Sequence, residues 1–361
     1  MPENHAARRD KLRRIAAERD LDAVLITSLV NVRYLSGFTG SNGAILISAT
    51  GTDTLATDGR YTIQAAAQAP DVERINERAV ARALAERAAE RGWTRLGFES
   101  HIMTVDDRDD LAADLPALQL SSIERVVEEL RAVKDEQEIA TLARACRIAD
   151  EALAALLEAG GIRAGRSERE IGLDLDRRML ELGADAVSFE TIVAAGANSA
   201  IPHHRPGPAA VAPGDFVKID FGAEYDGYHS DMTRTFVLGE PAGWQREIYD
   251  LVAAAQRAGS EAVQVGADVV AVDQAARAVI DAAGHKDHFG HGLGHGVGLE
   301  IHEAPSLGPR GTGKLAELMP VTVEPGVYLE GQGGVRIEDT LVVRAGGPEL
   351  LTHTSKDLLV L

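Results

Sequence analysis

Five of the eleven histidines fall between His285 and His302, in HKDHFGHGLGHGVGLEIHEAP. So dense a run of imidazoles supplies what metal binding or proton transfer needs. Glycine-rich surface loops also collect polar residues, but that does not account for the apolar residues interleaved here. His291 and His295 have the i, i+4 spacing of a zinc-binding helix, yet Gly290, Gly292, Gly294, Gly296 and Gly298 oppose a helix at that point. His302-Glu303-Ala304-Pro305 also lacks the second histidine of an HExxH motif, which disfavours a zincin. The glycines fit better a backbone that approaches a substrate or another strand closely. A second pair, His203-His204, follows AAGANSAIP and precedes Arg205-Pro206. By itself it reads as a solvated loop.

Carboxylates provide the other half of the chemistry. In FVKIDFGAEYDGYHSDMTRTFVL, Asp226-Gly227 between strand-forming runs is a two-residue hairpin signal. A turn there pairs Tyr225 with Tyr228, sets Asp220 opposite Thr233, and makes Asp220 and Asp231 diagonal neighbours on one face, roughly 7–8 Å apart. Two such carboxylates repel unless a cation sits between them, and hard divalent ions prefer oxygen ligands. Exposed strand carboxylates are the other reading, but Phe216, Val217 and Ile219 make this strand mostly buried, and a buried carboxylate needs partners. Glu324 in PVTVEPGVYLEG and Glu338 in GGVRIEDTLVV repeat the arrangement. With a loop at Gly331–Gly333, Glu324 falls opposite Thr340 and diagonal to Glu338. Four carboxylates on two hairpins, with one or more histidines, suit two divalent metals about 3.5–4 Å apart.

These residues need a scaffold of two parts. A chain of 361 residues exceeds the size at which single cores stop growing, so two domains are expected. The first third alternates a basic helix (4–20), strands at 23–27, 43–48, 53–56 and 95–98, and a helix at 78–91, the pattern of an α/β domain. Between Ile123 and Glu138 the charged run IERVVEELRAVKDEQE reads as helix, with the boundary near Arg131. Long helices follow at 136–158 and 167–182, the second opened by a Ser167/Glu170 capping box. Strand signals at 188–194 and 215–238, helix over 244–283, and strands at 320–329 and 335–343 complete an α+β domain with helices on one face of antiparallel strands. The two similar blocks of helix followed by hairpin hint at an internal duplication.

Composition narrows the function. A net charge of −19 opposes binding a polyanion, so nucleic acid is not an expected partner. The charged N-terminal stretch has no apolar core, which reads as neither a secretory signal nor a membrane span. The lone Cys146 cannot form an intramolecular disulfide and is expected to be a small buried residue. Together these features point to a cytoplasmic protein.

The motifs DFGAEYDGYHSDMTRTF, HGLGHGVGLEIHEAP, VEPGVY and GVRIEDT resemble those of the metal-dependent Xaa-Pro peptidases, aminopeptidase P and prolidase. YLSGFTGSNGA and TDGRYTIQA resemble their smaller N-terminal domain. The resemblance implies a creatinase-like α/β domain at 1–131 and a "pita-bread" catalytic domain at 132–361. It implies that Asp220, Asp231, His295, Glu324 and Glu338 bind two metal ions (manganese, cobalt or zinc), Asp231 and Glu338 bridging. It implies that His203, His291 and His302 line the substrate site and that Arg336 supports it, with no role for His204, His285 or His288. An activated water would attack the carbonyl before proline in dipeptides or short peptides. Glu324 would shuttle the proton, and His302 and His291 would stabilise the intermediate. A homodimer is implied in the same way. Dipeptidase and aminopeptidase remain open, a methionine aminopeptidase shares the ligand types, and an inert binding module shares the fold. Metal-free creatinase and the binding modules would be expected to lack several of these residues.

Overall fold

The computed structural model describes residues 2–361, which divide into two compact units that meet in sequence between Arg131 and Ala132. In the first, short aliphatic runs form β1 (Ala23–Ile26), β2 (Gly43–Ser48), β3 (Thr54–Thr57), β4 (Glu73–Asn76), β5 (Arg95–Phe98) and β6 (Gln119–Ser122). They build one mixed sheet in the order β4-β3-β2-β1-β5-β6, in which β1 is antiparallel to β2 and parallel to β5. Helices α1 (Pro2–Glu18), α2 (Leu29–Ser36), α3 (Thr62–Gln68), α4 (Val80–Glu90), α5 (Val105–Asp114) and α6 (Val126–Ala132) complete it. The central strands β1, β2 and β3 are buried throughout, and their sequences AVLI, GAILIS and TLAT carry no charge and are mostly apolar. The edge strands β4 (ERIN) and β6 (QLSS) leave residues exposed, and polar edges of this kind escape a reading based on hydrophobicity.

The charged run after Ile123 is not one helix. It stops at Ala132, and Asp135 starts α7 (Glu136–Glu158) with a capping box in which Asp135 accepts from the Glu138 amide and Glu138 accepts from the Asp135 amide. Helix α8 (Glu168–Glu181) is opened by the Ser167/Glu170 capping box. Then follow β7 (Ala186–Val187), β8 (Ile192–Ala195), β9 (Phe216–Phe221), β10 (Ala223–Tyr225), β11 (Tyr228–His229) and β12 (Met232–Val237). The helical stretch at 244–283 is split into α9 (Gly243–Ala262) and α10 (Val269–Ala282), the second capped by Asp268. The chain ends with β13 (Gly294–Gly296), β14 (Glu303–Leu307), β15 (Pro320–Val323), β16 (Gly326–Leu329), β17 (Gly333–Arg336), β18 (Asp339–Val342) and β19 (Glu349–Leu350).

Two helix pairs cover two sets of antiparallel strands. Helices α7 and α8 pack Ile148, Leu153, Leu156, Ile171, Leu175 and Met179 against Val217, Ile219 and Phe221 of β9 and Met232 and Phe236 of β12. Helices α9 and α10 do the same with Val252, Val272 and Ile280 against Val321, Val323, Val335, Ile337 and Leu341. Each fully buried aliphatic side chain contributes about 1.5–3 kcal/mol relative to exposure. Because strand side chains alternate, burying 217, 219 and 221 against one helix pair turns Asp220 to the other face. Burying 321, 323, 335 and 337 turns Glu324, Arg336 and Glu338 away from the other.

Candidate metal centre

The first hairpin has the register expected from its turn: Tyr225 pairs with Tyr228 and Asp220 with Thr233, which makes Asp220 and Asp231 diagonal neighbours. The second does not. Leu329 pairs with Gly333, so the turn is 330–332, and Thr340 lies opposite Thr322. Counting inward from Val323–Asp339 and Gly326–Arg336 sets Glu324 directly across from Glu338. The strand also changes sheets at Glu324-Pro325, where proline offers no ladder donor, and the Glu324 amide bonds instead to Leu293 O at 2.8 Å.

His295 arrives on β13, whose glycines allow close strand packing: a Cβ at Gly294 would lie 2.0 Å from Thr322 O. Nδ1 of His295 is 3.0 Å from Gly296 O. A carbonyl can only accept, so Nδ1–H donates and Nε2 faces the carboxylates with its lone pair. Burial pushes this imidazole down to about 4, which keeps it neutral. Nε2 lies 3.5 Å from Asp231 Oδ2 and 3.5 Å from Glu324 Oε1. Asp231, His295 and Glu338 each offer a donor atom within 4.8 Å of the others.

Threonines and Arg336 hold the carboxylates in place. Thr233 Oγ1 donates to Glu338 Oε2 at 2.6 Å, Thr340 Oγ1 donates to Asp231 O at 2.9 Å, and Thr322 Oγ1 accepts from the His295 amide at 3.1 Å. Arg336, 1% exposed, donates from Nη2 to Asp220 Oδ2, from Nε to Thr233 Oγ1 (3.0 Å) and from Nη1 to Tyr328 Oη (2.9 Å). Burial, and then the mutual repulsion of the carboxylates, raises Asp231 and Glu338 well above the ordinary range. Desolvation lifts Glu324 to about 8 despite Arg336. Asp220 Oδ1 is buried without a hydrogen-bond partner. Crowded carboxylates that cannot all ionise, an orphaned buried oxygen and an imidazole lone pair aimed among them fit divalent cations in both charge and donor type.

A cavity of about 290 Å³ opens onto this cluster. Phe189, Ile192, His203, Ile301 and His302 line it along with Asp220, Asp231, His295, Glu324 and Glu338. The His302 ring stands edge-on to His295, with centroids 4.3 Å apart. His203 and His302 thus reach the cavity. His291 and Arg336 are not among the lining side chains. His291 Nδ1 is 2.8 Å from Gly292 O and must donate to it, which leaves Nε2 to accept from Tyr328 Oη at 2.9 Å. Burial and the nearby Arg336 push His291 down to about 4, so the neutral form makes both bonds. His204 does line the cavity, whereas His285 and His288 contact each other. Sequence reasoning missed Tyr328, Thr233 and His204. Tyr328 closes the VEPGVY motif, and that position was its only signal.

Helix-backed hairpins that converge on acidic ligands and one histidine define a pita-bread metallohydrolase with an added creatinase-type N-terminal domain. The chain belongs to metallopeptidase family M24, whose model matches residues 140–345, and the Creatinase/Prolidase N-terminal domain model matches residues 8–133. It is similar to the Xaa-Pro dipeptidase structure from Bacillus anthracis (38% identity, 99% of this chain and 100% of that one, TM-score 0.95). It is similar also to the X-Pro aminopeptidase structure from Thermotoga maritima (35% identity, 98% and 99% covered, TM-score 0.89). The Xaa-Pro dipeptidase of Pyrococcus horikoshii is 35% identical over 345 residues, covering 95% of each chain. The chain is therefore a metal-dependent peptidase. No described helix is long and apolar enough to cross a membrane.

Proposed function

We propose that this metallopeptidase hydrolyses the bond between an N-terminal residue and a following proline, in dipeptides and short peptides. In this reading Asp220, Asp231, His295, Glu324 and Glu338 would hold two divalent ions. The observation that carries it is the convergence of these five donors behind one cavity, with Asp220 Oδ1 left unpartnered. Names of close relatives supply the proline specificity. Bound metals would supply Lewis acidity and water acidified to near neutrality.

The protein's own groups divide the remaining work. Glu324 is the best placed to handle a proton: its side chain is 17% exposed against 7% for that of Asp231, and Glu338 is buried. It takes the proton from the attacking water and delivers it to the proline nitrogen. His302 and His203 face the cavity and donate to the carbonyl oxygen and the substrate backbone. His291 acts at one remove, fixing Tyr328, which shares Arg336 with Asp220.

The test is hydrolysis of Xaa-Pro, Xaa-Pro-Yaa and Met-Ala peptides by chain loaded in turn with manganese, cobalt or zinc. Cleavage confined to proline peptides is expected, and the ratio of the first two rates separates dipeptidase from aminopeptidase. A metal-loaded but inert chain, or equal cleavage of Met-Ala, refutes the reading. Light scattering is expected to give a homodimer.

A further inference from the structure

We propose that Glu168, outside the metal centre, is a positioning residue for the substrate pocket: through His204 and the backbone of residues 195–207 it fixes His203 on the cavity wall. The proposal rests on the reading of His203 as a substrate-handling group.

Glu168 is the first residue of α8 and is fully buried, 0% exposed. Its carboxylate is saturated by one stretch of chain. Oε1 accepts from the Ala195 amide at 2.9 Å and from Asn198 Nδ2 at 2.8 Å. Oε2 accepts from His204 Nε2 at 2.8 Å and from the Gly207 amide at 3.1 Å. These bonds outweigh the burial that opposes ionisation and hold Glu168 below the usual carboxyl range. An anchoring carboxylate can be purely architectural, but the chain it anchors is the cavity wall: His203, His204 and Arg205 are all lining residues.

The same stretch is fastened from the metal side. Lys218 Nζ donates to Ile201 O at 2.7 Å, and Arg336 Nη1 donates to Pro202 O at 3.2 Å. Pro202 is thus tied to the arginine that holds Asp220, and His204 is tied to Glu168. His203 sits between the two ties, so its imidazole is registered against the metal ligands by contacts on both sides. A displacement of about 1 Å in such a group is enough to cost about 100-fold in rate. Glutamine at 168 has nearly the same shape, but its NH2 must confront a fixed donor on either side: the Ala195 amide and Asn198 Nδ2 on one, or the Gly207 amide on the other, where His204 can accept through its other tautomer.

The test uses the full-length metal-loaded chain with Glu168→Gln, His203→Ala and the double variant. Metal content, kcat and KM for an Xaa-Pro substrate, and amide hydrogen exchange over 195–207 are measured. Glu168→Gln is expected to retain its metal, speed exchange in that stretch about tenfold, and lower kcat/KM about 10- to 100-fold. In the His203→Ala background the same substitution is expected to cost less than about twofold, because a residue acting through His203 has nothing left to position. Unchanged kcat/KM, or losses that multiply in the double variant, would overturn the proposal. If Glu168→Gln does not fold, His204→Ala removes a single tie and enters the same cycle under the same criteria. If the wild type leaves Xaa-Pro peptides intact, the substrate reading fails, and hydrogen exchange still decides the positioning: unchanged exchange over 195–207 rejects it.

Discussion

Five glycines alternate through the segment that carries His295, and the structure predicts that alanine is costly at one of them and neutral at another. A Cβ at Gly294 would lie 2.0 Å from the backbone oxygen of Thr322 and 2.8 Å from its hydroxyl, which accepts the His295 amide. Ordinary contact begins at 3.4 Å, so β13 and β15 must separate by more than 1 Å. A Cβ at Gly290 would meet nothing within 4 Å. Overpacking of this kind costs about 3 kcal/mol, or roughly 6–12 °C in Tm for a unit of this size. The same shift carries His295 Nε2 away from Asp231 and Glu324, which costs about 100-fold in kcat/KM. Gly290→Ala should stay within about 0.5 kcal/mol of wild type. Calorimetric melting, metal titration and kcat/KM on one substrate decide the matter. If Gly294→Ala and Gly290→Ala behave alike in all three, close strand approach is not why this segment is glycine-rich.

Stripping metal with a chelator should lower Tm and abolish turnover. Restoring ion to 100 times its Kd should return about 2.7 kcal/mol per site, and titration calorimetry should count two sites. Cys146 is fully buried, and burial raises its thiol well above the ordinary value. A chromogenic thiol reagent should therefore leave the native protein unlabelled and react at once in denaturant. Because Glu168 is held below its ordinary value of 4.5, its ionised form adds stability that is complete above that pH and is lost as pH falls through the folded value. Acid denaturation of Glu168→Gln should accordingly be shallower than that of wild type, and a parallel curve would count against the hydrogen-bonded carboxylate.

Legibility in the sequence followed burial and locality. Strands β1, β2 and β5 and helices α7 and α8 could be read because one face or both meet a core, which imposes a continuous or periodic apolar pattern. The breaks within helical stretches were harder. The cap at Asp135 and the restart at Asp268 use polar side chains that a charged helix surface also carries, so composition alone runs the helices together. The register error in the second hairpin has a similar cause. EGQGG at 330–334 supports several three-residue turns, and only the pairing of Leu329 with Gly333 selects one.

At the site, what could be read was what a local turn fixes, such as the diagonal relation of Asp220 and Asp231 across Asp226-Gly227. What could not be read depends on contacts between segments far apart in the chain. Arg336 reaches Asp220 across 116 residues, Thr233 reaches Glu338 across 105, and Glu168 reaches His204 across 36. None leaves a spacing signal, because an arginine or glutamate in an apolar strand or at a helix start has the same local pattern whether it is a partner or a solvated charge. What distinguishes them is physical cost. Arg336 and Glu168 are nearly or wholly buried, and a buried charge persists only where its hydrogen bonds are filled. His291 sharpens the point. It sits in the same histidine-rich segment as His295, four residues earlier, yet Gly292 O and Tyr328 Oη use both its nitrogens, whereas Gly296 O uses only one of His295's. The number of ring nitrogens left free, and not the spacing of the histidines, separates the candidate ligand from its neighbour.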